Sequence, residues 1–314
     1  ACQRSTFRFT KRNTETIMIR AVLAPFIFVL HTSLQILNLA LWGGLIILLG
    51  LVKLIMPNGK IRTAWNKVMH GLMFSFGRVS VLMIRLFNRV DIECSVHGEL
   101  SKDRWYLIIA NHLSYLDIIL LIEFATNRIP APKFFLKKEL IWLPFVGLGA
   151  WALDMPFMHR YTRAYLEKHP EKKGKDLETT KAYCEKFRTV PTTVINFVEG
   201  TRFTSLKHLS KQSPYENLLP PKAGGVSFTL SAMGELFTNV LDISLLYPEN
   251  KRHPMMAMLS GQMTKIVIDV NVTPVPELQQ HSERTESEFR LYFQNWLNGL
   301  WENKDNRIKK MLES

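Results

Sequence analysis

The feature that most constrains this chain is an uncharged apolar stretch near its N-terminus. From Ala21 to Val52 the sequence contains no Asp, Glu, Lys or Arg, and the part from Leu39 to Val52 is almost continuously apolar. A helix that crosses a bilayer needs about 20 predominantly apolar residues, and the window 34–55 meets that requirement. The sequence therefore predicts a basic N-terminus with a membrane-anchoring segment over residues 1–60 and a second unit over residues 61–314. A phospholipid membrane is accordingly an expected partner.

The same stretch is compatible with other structures. A cleaved signal peptide has a shorter apolar run and small residues at a cleavage site, and neither holds here. A buried helix of a soluble protein also fits the composition. Basic residues flank the stretch on both sides and do not fix its orientation, so a re-entrant hairpin with a break near residues 31–38 is as compatible as a single span. In residues 64–90, apolar residues recur at helical spacing, which favours a helix packed on a core over one lying on a membrane.

The chain is strongly basic, with 40 Lys and Arg against 27 Asp and Glu and a formal net charge of +13. Such a charge favours an anionic partner, which can be a nucleic acid, an anionic membrane or a phosphorylated substrate. The sequence contains no helix-turn-helix, zinc-finger or RNP-like pattern, so no nucleic-acid partner is expected. Cys2, Cys94 and Cys184 are far apart and form no C-x-x-C pair, which argues against a disulfide framework and a structural zinc site.

After residue 90, apolar runs of strand character alternate with helical patterns. This alternation predicts an α/β fold with a largely parallel central sheet and flanking helices. The capping-box sequence Thr285-Glu286-Ser287-Glu288 predicts the start of a C-terminal amphipathic helix, whose apolar stripe is Phe289, Phe293, Trp296 and Leu300. The predicted strands are Trp105–Ala110, Lys133–Leu136, Thr192–Val198, Val240–Tyr247 and Lys265–Val275, and the other predicted helices are Ser114–Phe124, Asp176–Phe187 and Ala223–Met233.

A polar sequence, Asn111-His112-Leu113-Ser114-Tyr115-Leu116-Asp117, follows the first of these strands at the start of a helix. Active sites of open α/β sheets form at this end of the strands. The spacing lets the carboxylate of Asp117 accept a hydrogen bond from one imidazole nitrogen of His112, which leaves the other nitrogen as a general base. Equally, Ser114 and Asp117 can cap the helix while His112 packs, so these residues taken alone leave both interpretations open.

A second polar turn, Phe197-Val198-Glu199-Gly200-Thr201-Arg202, follows another predicted strand. Gly200 permits a tight turn. Thr201 and the following backbone N–H groups can face an anion, and Arg202 offers a planar donor fork suited to phosphate. One turn with a base and one with a phosphate-binding group, each at the end of a buried strand, together indicate a catalytic site more strongly than either does alone.

These two sequences resemble the NHxSxxD and FxEGTR motifs of the glycerolipid acyltransferases, the lysophosphatidic acid acyltransferase (PlsC-like) family. The segment Phe135-Leu136-Lys137-Lys138-Glu139-Leu140, followed by Pro144 and Gly147, is similar to the KxEL segment of that family. Phe157-Met158-His159-Arg160 stands where the family has an acidic residue before Arg, and His159 departs from that pattern. Over essentially the whole chain, the sequence resembles the proteobacterial inner-membrane branch labelled YihG.

The resemblance implies transfer of a fatty acyl group from acyl-CoA or acyl-carrier protein to the free hydroxyl of lysophosphatidic acid, at a bacterial inner membrane with the site facing the cytoplasm. It implies that His112 is the general base, that Asp117 orients it, and that backbone N–H groups of residues 113–115 are candidates for binding the oxyanion. No metal and no organic cofactor is required, because a thioester is already activated. The implied substrate-binding residues are Lys137, Arg160, Glu199, Gly200, Thr201 and Arg202, with Asn111 and Ser114 as structural residues of the motif.

Several alternatives stay open at this point. Glu199 either binds the glycerol portion of the acceptor or holds its turn together. A thioesterase or lipase would use the same His–Asp pair on water, and a catalytically silent membrane or regulatory protein would not need the pair at all. A covalent seryl intermediate on Ser114 is disfavoured because no G-x-S-x-G elbow surrounds it, and a metal site is disfavoured because no further His/Asp cluster is nearby.

Overall fold

The computed structural model describes residues 2–158, 169, 187–276 and 286–313. The helices are α1 (Cys2–Leu54), α2 (Lys60–Phe87), α3 (Leu116–Ala125), α4 (Val146–Ala152), α5 (Ser205–Ser210), α6 (Ala223–Met233), α7 (Pro254–Leu259) and α8 (Glu286–Glu313), with a 3₁₀ helix over Lys138–Trp142. The strands are β1 (Asp91–His97), β2 (Trp105–Ala110), β3 (Pro132–Phe134), β4 (Leu136–Lys137), β5 (Phe157–Met158), β6 (Thr193–Phe197), β7 (Phe237–Leu246) and β8 (Lys265–Pro274).

Six strands form one mixed, mostly parallel sheet in the order β1-β8-β7-β2-β6-β3. The pairs β2–β7, β2–β6, β3–β6 and β1–β8 are parallel, and β7–β8 is antiparallel. The predicted α/β class with a largely parallel sheet is therefore confirmed. At the end of β2, Ala110 is in register with Phe197 of β6 and Ile243 of β7, so the segments that leave these three strands emerge side by side.

Helices cover both faces of this sheet. The five residues of β2 from Tyr106 to Ala110 are all buried, as expected for a central parallel strand whose sequence is a continuous apolar run. Successive side chains of a strand point to opposite faces. Ile108 accordingly packs in one hydrophobic cluster with residues of α2 and α3, whereas Leu107 and Ile109 pack in a second cluster with residues of α6 and α8.

The N-terminal helices α1 and α2 form a hairpin whose turn lies at residues 55–59. The expected alternative of a break near residues 31–38 is wrong, because α1 continues through that region without interruption. Its polar residues are satisfied by neighbouring elements instead. Asn38 Nδ2 donates to the carbonyl oxygen of Phe76 at 3.2 Å and to Ser80 Oγ at 2.9 Å. The ring of His31 stacks on Phe87, with centroids 4.6 Å apart.

The hairpin combines an apolar outer surface with an inner surface that packs on the rest of the protein. By length and composition, the described residues contain two helical stretches long and apolar enough to cross a membrane, Val22–Leu54 and Lys60–Phe87. Lys53 donates to the carbonyl oxygen of Ala152 at 2.9 Å and pairs with Asp154, which ties α1 to the end of α4. The division of the chain at residue 60 stays a prediction. Exposed apolar residues of the hairpin include Phe26, Val29, Ile36, Leu37, Leu41, Leu48, Leu82 and Leu86.

The remaining predicted elements agree with the structure in most of the described residues. The predicted strands correspond to β2, β3, β6, β7 and β8, and β1 was not predicted. Most of the predicted helix Asp176–Phe187 and the capping-box residue Thr285 lie outside the described residues. Phe293 is the residue that the predicted apolar stripe shares with the fully buried residues of α8. Those buried residues are Phe293, Leu297, Trp301, Lys304 and Ile308.

Candidate active site

The end of β2 is held to β7 by a side chain rather than by the backbone. Asn111 is buried; its Nδ2 donates to the carbonyl oxygen of Leu245 at 2.9 Å, and its Oδ1 accepts from Leu245 N at 2.8 Å. A side-chain amide presents the same donor and acceptor as a peptide group. Asn111 therefore extends the ladder by one side chain while its own backbone turns away from the sheet, which allows the next residue, His112, to leave the sheet edge.

Asp117 lies in the first turn of α3 and is fully buried. Its Oδ2 lies 2.8 Å from His112 Nδ1 and accepts hydrogen bonds from the backbone N–H groups of Leu113 at 2.7 Å and Ser114 at 2.9 Å. Its Oδ1 accepts from the hydroxyl of Tyr247 at 2.5 Å. Charge-assisted hydrogen bonds of this number fix both the position and the orientation of a buried carboxylate.

These contacts change two expectations for the first motif. The N–H groups of Leu113 and Ser114 were candidates for binding an oxyanion, but in this structure they donate to Asp117. Ser114 was expected to cap the helix, but the N-cap residue is Tyr115, which follows it. Ser114 Oγ accepts a hydrogen bond from Leu116 N at 3.3 Å. Ser114 is buried, which is consistent with a structural residue of the motif.

His112 is held on three sides. Its ring stacks on Phe197 at the end of β6, with centroids 4.1 Å apart and planes 20° apart. Its carbonyl oxygen accepts from Phe203 N at 2.7 Å. Because Nδ1 faces Asp117, the ring presents Nε2 as the nitrogen that can accept a proton from a substrate. The His112 side chain is 15% exposed, so it is shielded from bulk solvent without being sealed from it.

The second motif forms a tight turn against the first. Gly200 has φ +68°, a left-handed conformation that glycine adopts without steric cost, and its N–H donates to the carbonyl oxygen of Phe197 at 2.9 Å. The Arg202 side chain leaves this turn towards the first motif, where its Cζ lies 4.0 Å from the centroid of the Tyr115 ring. Thr201 Oγ1 accepts from Lys207 Nζ at 2.7 Å. The turn thus places an exposed guanidinium beside the His112–Asp117 pair.

Glu199 is fully buried behind this turn. Its Oε1 accepts from Leu219 N at 3.2 Å, and its Oε2 has no partner among the described residues. Burial raises the pKa of Glu199 to about 8, against the opposing effects of the Leu219 hydrogen bond and the positive charge of Lys304. In this structure the Glu199 side chain connects the turn to the segment that follows α5. This is the contact expected if Glu199 holds its turn together, which was the second of its two predicted roles.

The remaining predicted substrate-binding residues are not joined to this group by a recorded contact. Lys137 is exposed on β4, three residues beyond Phe134, whose ring lies 6.5 Å from that of Phe197. Arg160 lies outside the described residues. The structure therefore brings the two motifs together, and leaves the contributions of Lys137 and Arg160 as predictions.

Tyr247 and Lys304, which the sequence analysis did not identify, contact the residues and strands that carry the site. Tyr247 is fully buried at the end of β7, and burial together with the Asp117 carboxylate raises the pKa of its phenol well above the usual value. Lys304 of α8 is also fully buried; its Nζ donates to the carbonyl oxygens of Ile109 at 3.2 Å and Ile243 at 2.8 Å, and lies 2.8 Å from Asp242 Oδ1. The one sequence signal for Lys304 is its place on the apolar face of an amphipathic helix.

No cluster of three or more His, Cys, Asp or Glu side chains that could hold a metal ion occurs among the described residues. The chemistry that the site offers is that of a positioned imidazole with a buried carboxylate behind it and a guanidinium in front. Such a group can accept a proton from a hydroxyl or from water beside an anionic moiety.

A family model described as Acyltransferase matches residues 92–247, a range that contains both motifs and extends from β1 to Tyr247. Residues 92–247 form an acyltransferase-family domain. The His112–Asp117 pair and the Arg202 turn therefore lie within the acyltransferase domain rather than in the helical hairpin that precedes it.

Curated relatives match a similar part of the chain. The 1-acyl-sn-glycerol-3-phosphate acyltransferase 3 of Arabidopsis thaliana is 25% identical over 226 residues, which cover 68% of this chain and 55% of that protein. The 1-acyl-sn-glycerol-3-phosphate acyltransferase delta of Rattus norvegicus is 23% identical over 228 residues, with 68% and 56% covered, and the Homo sapiens protein of that name is 22% identical over 211 residues, with 63% and 51% covered. The chain thus spans about half the length of these relatives.

A solved structure shares the fold over nearly the whole chain. The crystal structure of the 1-acyl-sn-glycerophosphate acyltransferase PlsC from Thermotoga maritima superimposes with a TM-score of 0.58 at 18% sequence identity, covering 92% of this chain and 98% of that one. This coverage exceeds the acyltransferase domain, so the similarity of fold extends beyond residues 92–247 to the flanking parts of the chain.

Proposed function

We propose that this acyltransferase transfers a fatty acyl group from a thioester, acyl-CoA or acyl-carrier protein, to the free hydroxyl of lysophosphatidic acid, giving phosphatidic acid. The observation that carries the proposal is the 2.8 Å contact between His112 Nδ1 and the buried Asp117, with Arg202 beside it on Tyr115. The acceptor chemistry is supported by the curated relatives, which are 1-acyl-sn-glycerol-3-phosphate acyltransferases.

In the proposed reaction, His112 Nε2 removes the proton of the acceptor hydroxyl as its oxygen attacks the thioester carbonyl. The resulting imidazolium is stabilised by Asp117, and it returns the proton to the sulfur as the C–S bond breaks, so the products are the new ester and a free thiol. A positioned base of this kind contributes about 10²- to 10⁴-fold in rate. The proposed step requires no metal and no organic cofactor, because a thioester is already activated.

The acceptor is proposed to bind through its phosphate to Arg202. An exposed guanidinium can form two parallel hydrogen bonds to phosphate, and the Tyr115 ring beneath it restricts its movement. Lys137 and Arg160 are proposed to assist. Glu199, which is buried in this structure, is proposed to hold the turn that carries Gly200, Thr201 and Arg202 rather than to touch the glycerol.

The proposed location is a bacterial inner membrane, with the site facing the cytoplasm where the acyl thioesters are made, as in the YihG branch that the sequence resembles. The support for a membrane is the apolar outer surface of the α1–α2 hairpin. A lipid acceptor with one acyl chain would then reach Arg202 from the membrane surface, while the donor approaches from solution.

The deciding experiment is a mass-spectrometric assay of the purified protein in detergent. Lysophosphatidic acid and other lysophospholipids are offered with acyl-CoA and with acyl-carrier protein in parallel. We expect phosphatidic acid as the product, and we expect His112→Ala to lower its formation by at least 100-fold while the protein stays folded and membrane-bound. Retention of a tenth of the activity would contradict the role of His112 as base. Release of free fatty acid at the same rate with and without acceptor would instead show a thioesterase.

A further inference from the structure

A short segment beside α1 exposes a group of large apolar side chains. It covers the end of the 3₁₀ helix and the start of α4. Trp142 is 87% exposed, and Leu140, Leu143, Phe145 and Leu148 are exposed as well. A concentration of exposed apolar surface of this kind marks a site of interaction with another molecule or with a membrane. We call residues 140–148 the apolar segment.

The apolar segment is held against α1 at two glycines. A Cβ on Gly43 would lie 2.9 Å from the Cβ of Phe145, and a Cβ on Gly50 would overlap that of Ala152. The absence of a side chain at both glycines lets the two stretches of chain approach each other closely. Because the two contacts are separated by the same number of residues on each stretch, α4 runs alongside α1 in the same direction.

The backbone of the apolar segment has a defined conformation. Phe145 has φ +60°, a left-handed conformation that is strained for a bulky residue and persists only where surrounding contacts hold it. Gly147 N donates to the carbonyl oxygen of Leu143 at 2.8 Å, and Gly149 N donates to that of Phe145 at 3.1 Å. The exposed apolar side chains are therefore presented from a fixed backbone.

The position of the apolar segment along α1 indicates what covers it. The glycines that hold it, Gly43 and Gly50, lie within Leu39–Val52, the almost continuously apolar part of α1. The same part of α1 exposes Leu41 and Leu48. A bilayer that covers the outer surface of α1 at this level also reaches the apolar segment, which lies beside it at the same level.

Charged residues border the apolar segment as they border an element that lies in a membrane interface. No Asp, Glu, Lys or Arg occurs from Leu140 to Leu153, whereas Lys137 and Lys138 precede this stretch and Asp154 follows it. Both lysines are exposed. Lysines beside an inserted apolar element are attracted to anionic headgroups, and tryptophan favours the boundary between headgroups and acyl chains. A lipid surface therefore matches both the charges and the apolar side chains.

We propose that the apolar segment inserts into the hydrocarbon of the membrane that carries the α1–α2 hairpin. This inference rests on the proposed membrane location and extends it from the hairpin to the acyltransferase domain itself. The segment follows β3 and β4, and the ring of Phe134 at the end of β3 lies 6.5 Å from that of Phe197 in the active site. Insertion of the segment therefore fixes the active site relative to the membrane surface.

The test is the quenching of Trp142 fluorescence in the whole protein, reconstituted in vesicles of phosphatidylcholine and phosphatidylglycerol. The chain has seven tryptophans, so the emission of Trp142 is measured as the difference between the wild type and Trp142→Phe. When the phosphatidylcholine carries bromine on its acyl chains, we expect this emission to fall by at least about half, because an interfacial element places its apolar side chains at the acyl boundary. Iodide, a quencher confined to water, should leave the emission nearly unchanged.

The matched control moves the exposed tryptophan to the other face of the sheet. Leu291 on α8 is 61% exposed. Helix α8 packs on the second hydrophobic cluster, whereas α1, α2 and α4 pack on the first. In Trp142→Phe/Leu291→Trp, the emission of the new tryptophan is measured against Trp142→Phe alone. We expect it to be quenched by iodide and not by the brominated lipid.

Three results would overturn the proposal. Quenching of Trp142 by iodide as strongly as in the control would place the apolar segment in water. Protection of Trp142 from both quenchers would show that protein, rather than lipid, covers the segment. Equal quenching of both positions by the brominated lipid would show that the membrane does not select this face of the enzyme.

The fluorescence measurement needs no turnover, so its outcome is separate from that of the proposed function. If Trp142 is quenched by the brominated lipid but the purified protein transfers no acyl group, the proposed function fails and the membrane contact stands. If the protein sediments with vesicles and is active, but iodide alone quenches Trp142, the membrane contact fails and the proposed function stands.

Discussion

Replacement of Tyr247 by phenylalanine tests whether the buried carboxylate of Asp117 must be held from both sides. The hydroxyl of Tyr247 is the only described donor to Asp117 Oδ1, at 2.5 Å, while His112, Leu113 and Ser114 all face Oδ2. Tyr247→Phe removes this donor and keeps the ring volume. The fully buried Oδ1 then has no partner, and the carboxylate can rotate about the bond that places it under the imidazole.

The expected size of the effect follows from the type of bond that is lost. A hydrogen bond to a charged group contributes about 1.5–3 kcal/mol. If the whole free energy of this hydrogen bond is added to the activation free energy of the step that forms the imidazolium, kcat falls about 10- to 150-fold. Each 1.36 kcal/mol corresponds to a factor of ten in rate. The KM for lysophosphatidic acid should change little, because Tyr247 lies below Asp117 and does not reach the Arg202 turn. The measurement is kcat and KM of the purified variant in detergent, together with its unfolding midpoint.

A matched control separates this effect from a general loss of stability. Tyr106 is also fully buried in the same sheet, and its hydroxyl accepts from Ser101 N at 2.9 Å at the opposite end of β2. Tyr106→Phe should therefore lower the unfolding midpoint as Tyr247→Phe does, without lowering kcat. A kcat of Tyr247→Phe within twofold of the wild-type value, or an equal loss of kcat in Tyr106→Phe, would refute the reasoning.

Two further predictions concern the second motif. Arg202→Ala should raise the KM for lysophosphatidic acid at least tenfold with a smaller change in kcat, because it removes a charge-assisted phosphate contact; an unchanged KM in the same assay would exclude Arg202 from the acceptor site. The pKa of Glu199 is about 8 in the folded protein and 4.5 as the ordinary value, so the folded state keeps a proton that the unfolded state loses, and the unfolding free energy should fall as pH rises from about 4.5 to 8, by up to about 4–5 kcal/mol. Glu199→Gln should remove this fall, which unfolding midpoints measured in detergent between pH 5 and 9 will show; a wild-type midpoint independent of pH would contradict it.

Much of the fold was predictable because the relevant signals are local. The central strands β2, β6 and β7 are runs of apolar residues with strand propensity, and each appeared at nearly its observed bounds. The order of the strands in the sheet is not local, and it is this order that makes β2 and β6 neighbours and brings the two motifs together. The sequence predicted that both motifs follow strands, whereas their contact through Phe203 N and the His112 carbonyl oxygen required the structure.

The expected break in α1 shows how local polarity can mislead. Polar residues inside an apolar run were interpreted as a possible interruption between two shorter membrane segments. In the structure, Asn38 and Gln35 donate to groups on α2, and His31 lies against Met258 and Phe87. A polar side chain on a helix can be satisfied by a distant part of the chain, and no periodicity in the sequence distinguishes that case from a break.

Tyr247 and Lys304 were missed for a related reason. Each acts on the site from more than a hundred residues away in the chain, through a contact that no motif spacing records. Lys304 did carry a signal, because a lysine on the buried line of an amphipathic helix needs several partners to offset the cost of burial. Its partners prove to be carbonyl oxygens at the ends of β2 and β7 and the carboxylate of Asp242, so this one ammonium group joins two strands that carry the site.

The charges of the site are arranged so that an anionic substrate meets cations and almost no exposed negative charge. The carboxylate of Asp117 is fully buried and shared among four donors. Glu199, the other carboxyl group of the two motifs, is buried and mostly protonated below pH 8. Arg202 remains exposed on its aromatic support. Because ionisation of Glu199 above pH 8 would place a negative charge behind the Arg202 turn, phosphate binding at Arg202 should weaken in the same pH range in which the protein loses stability.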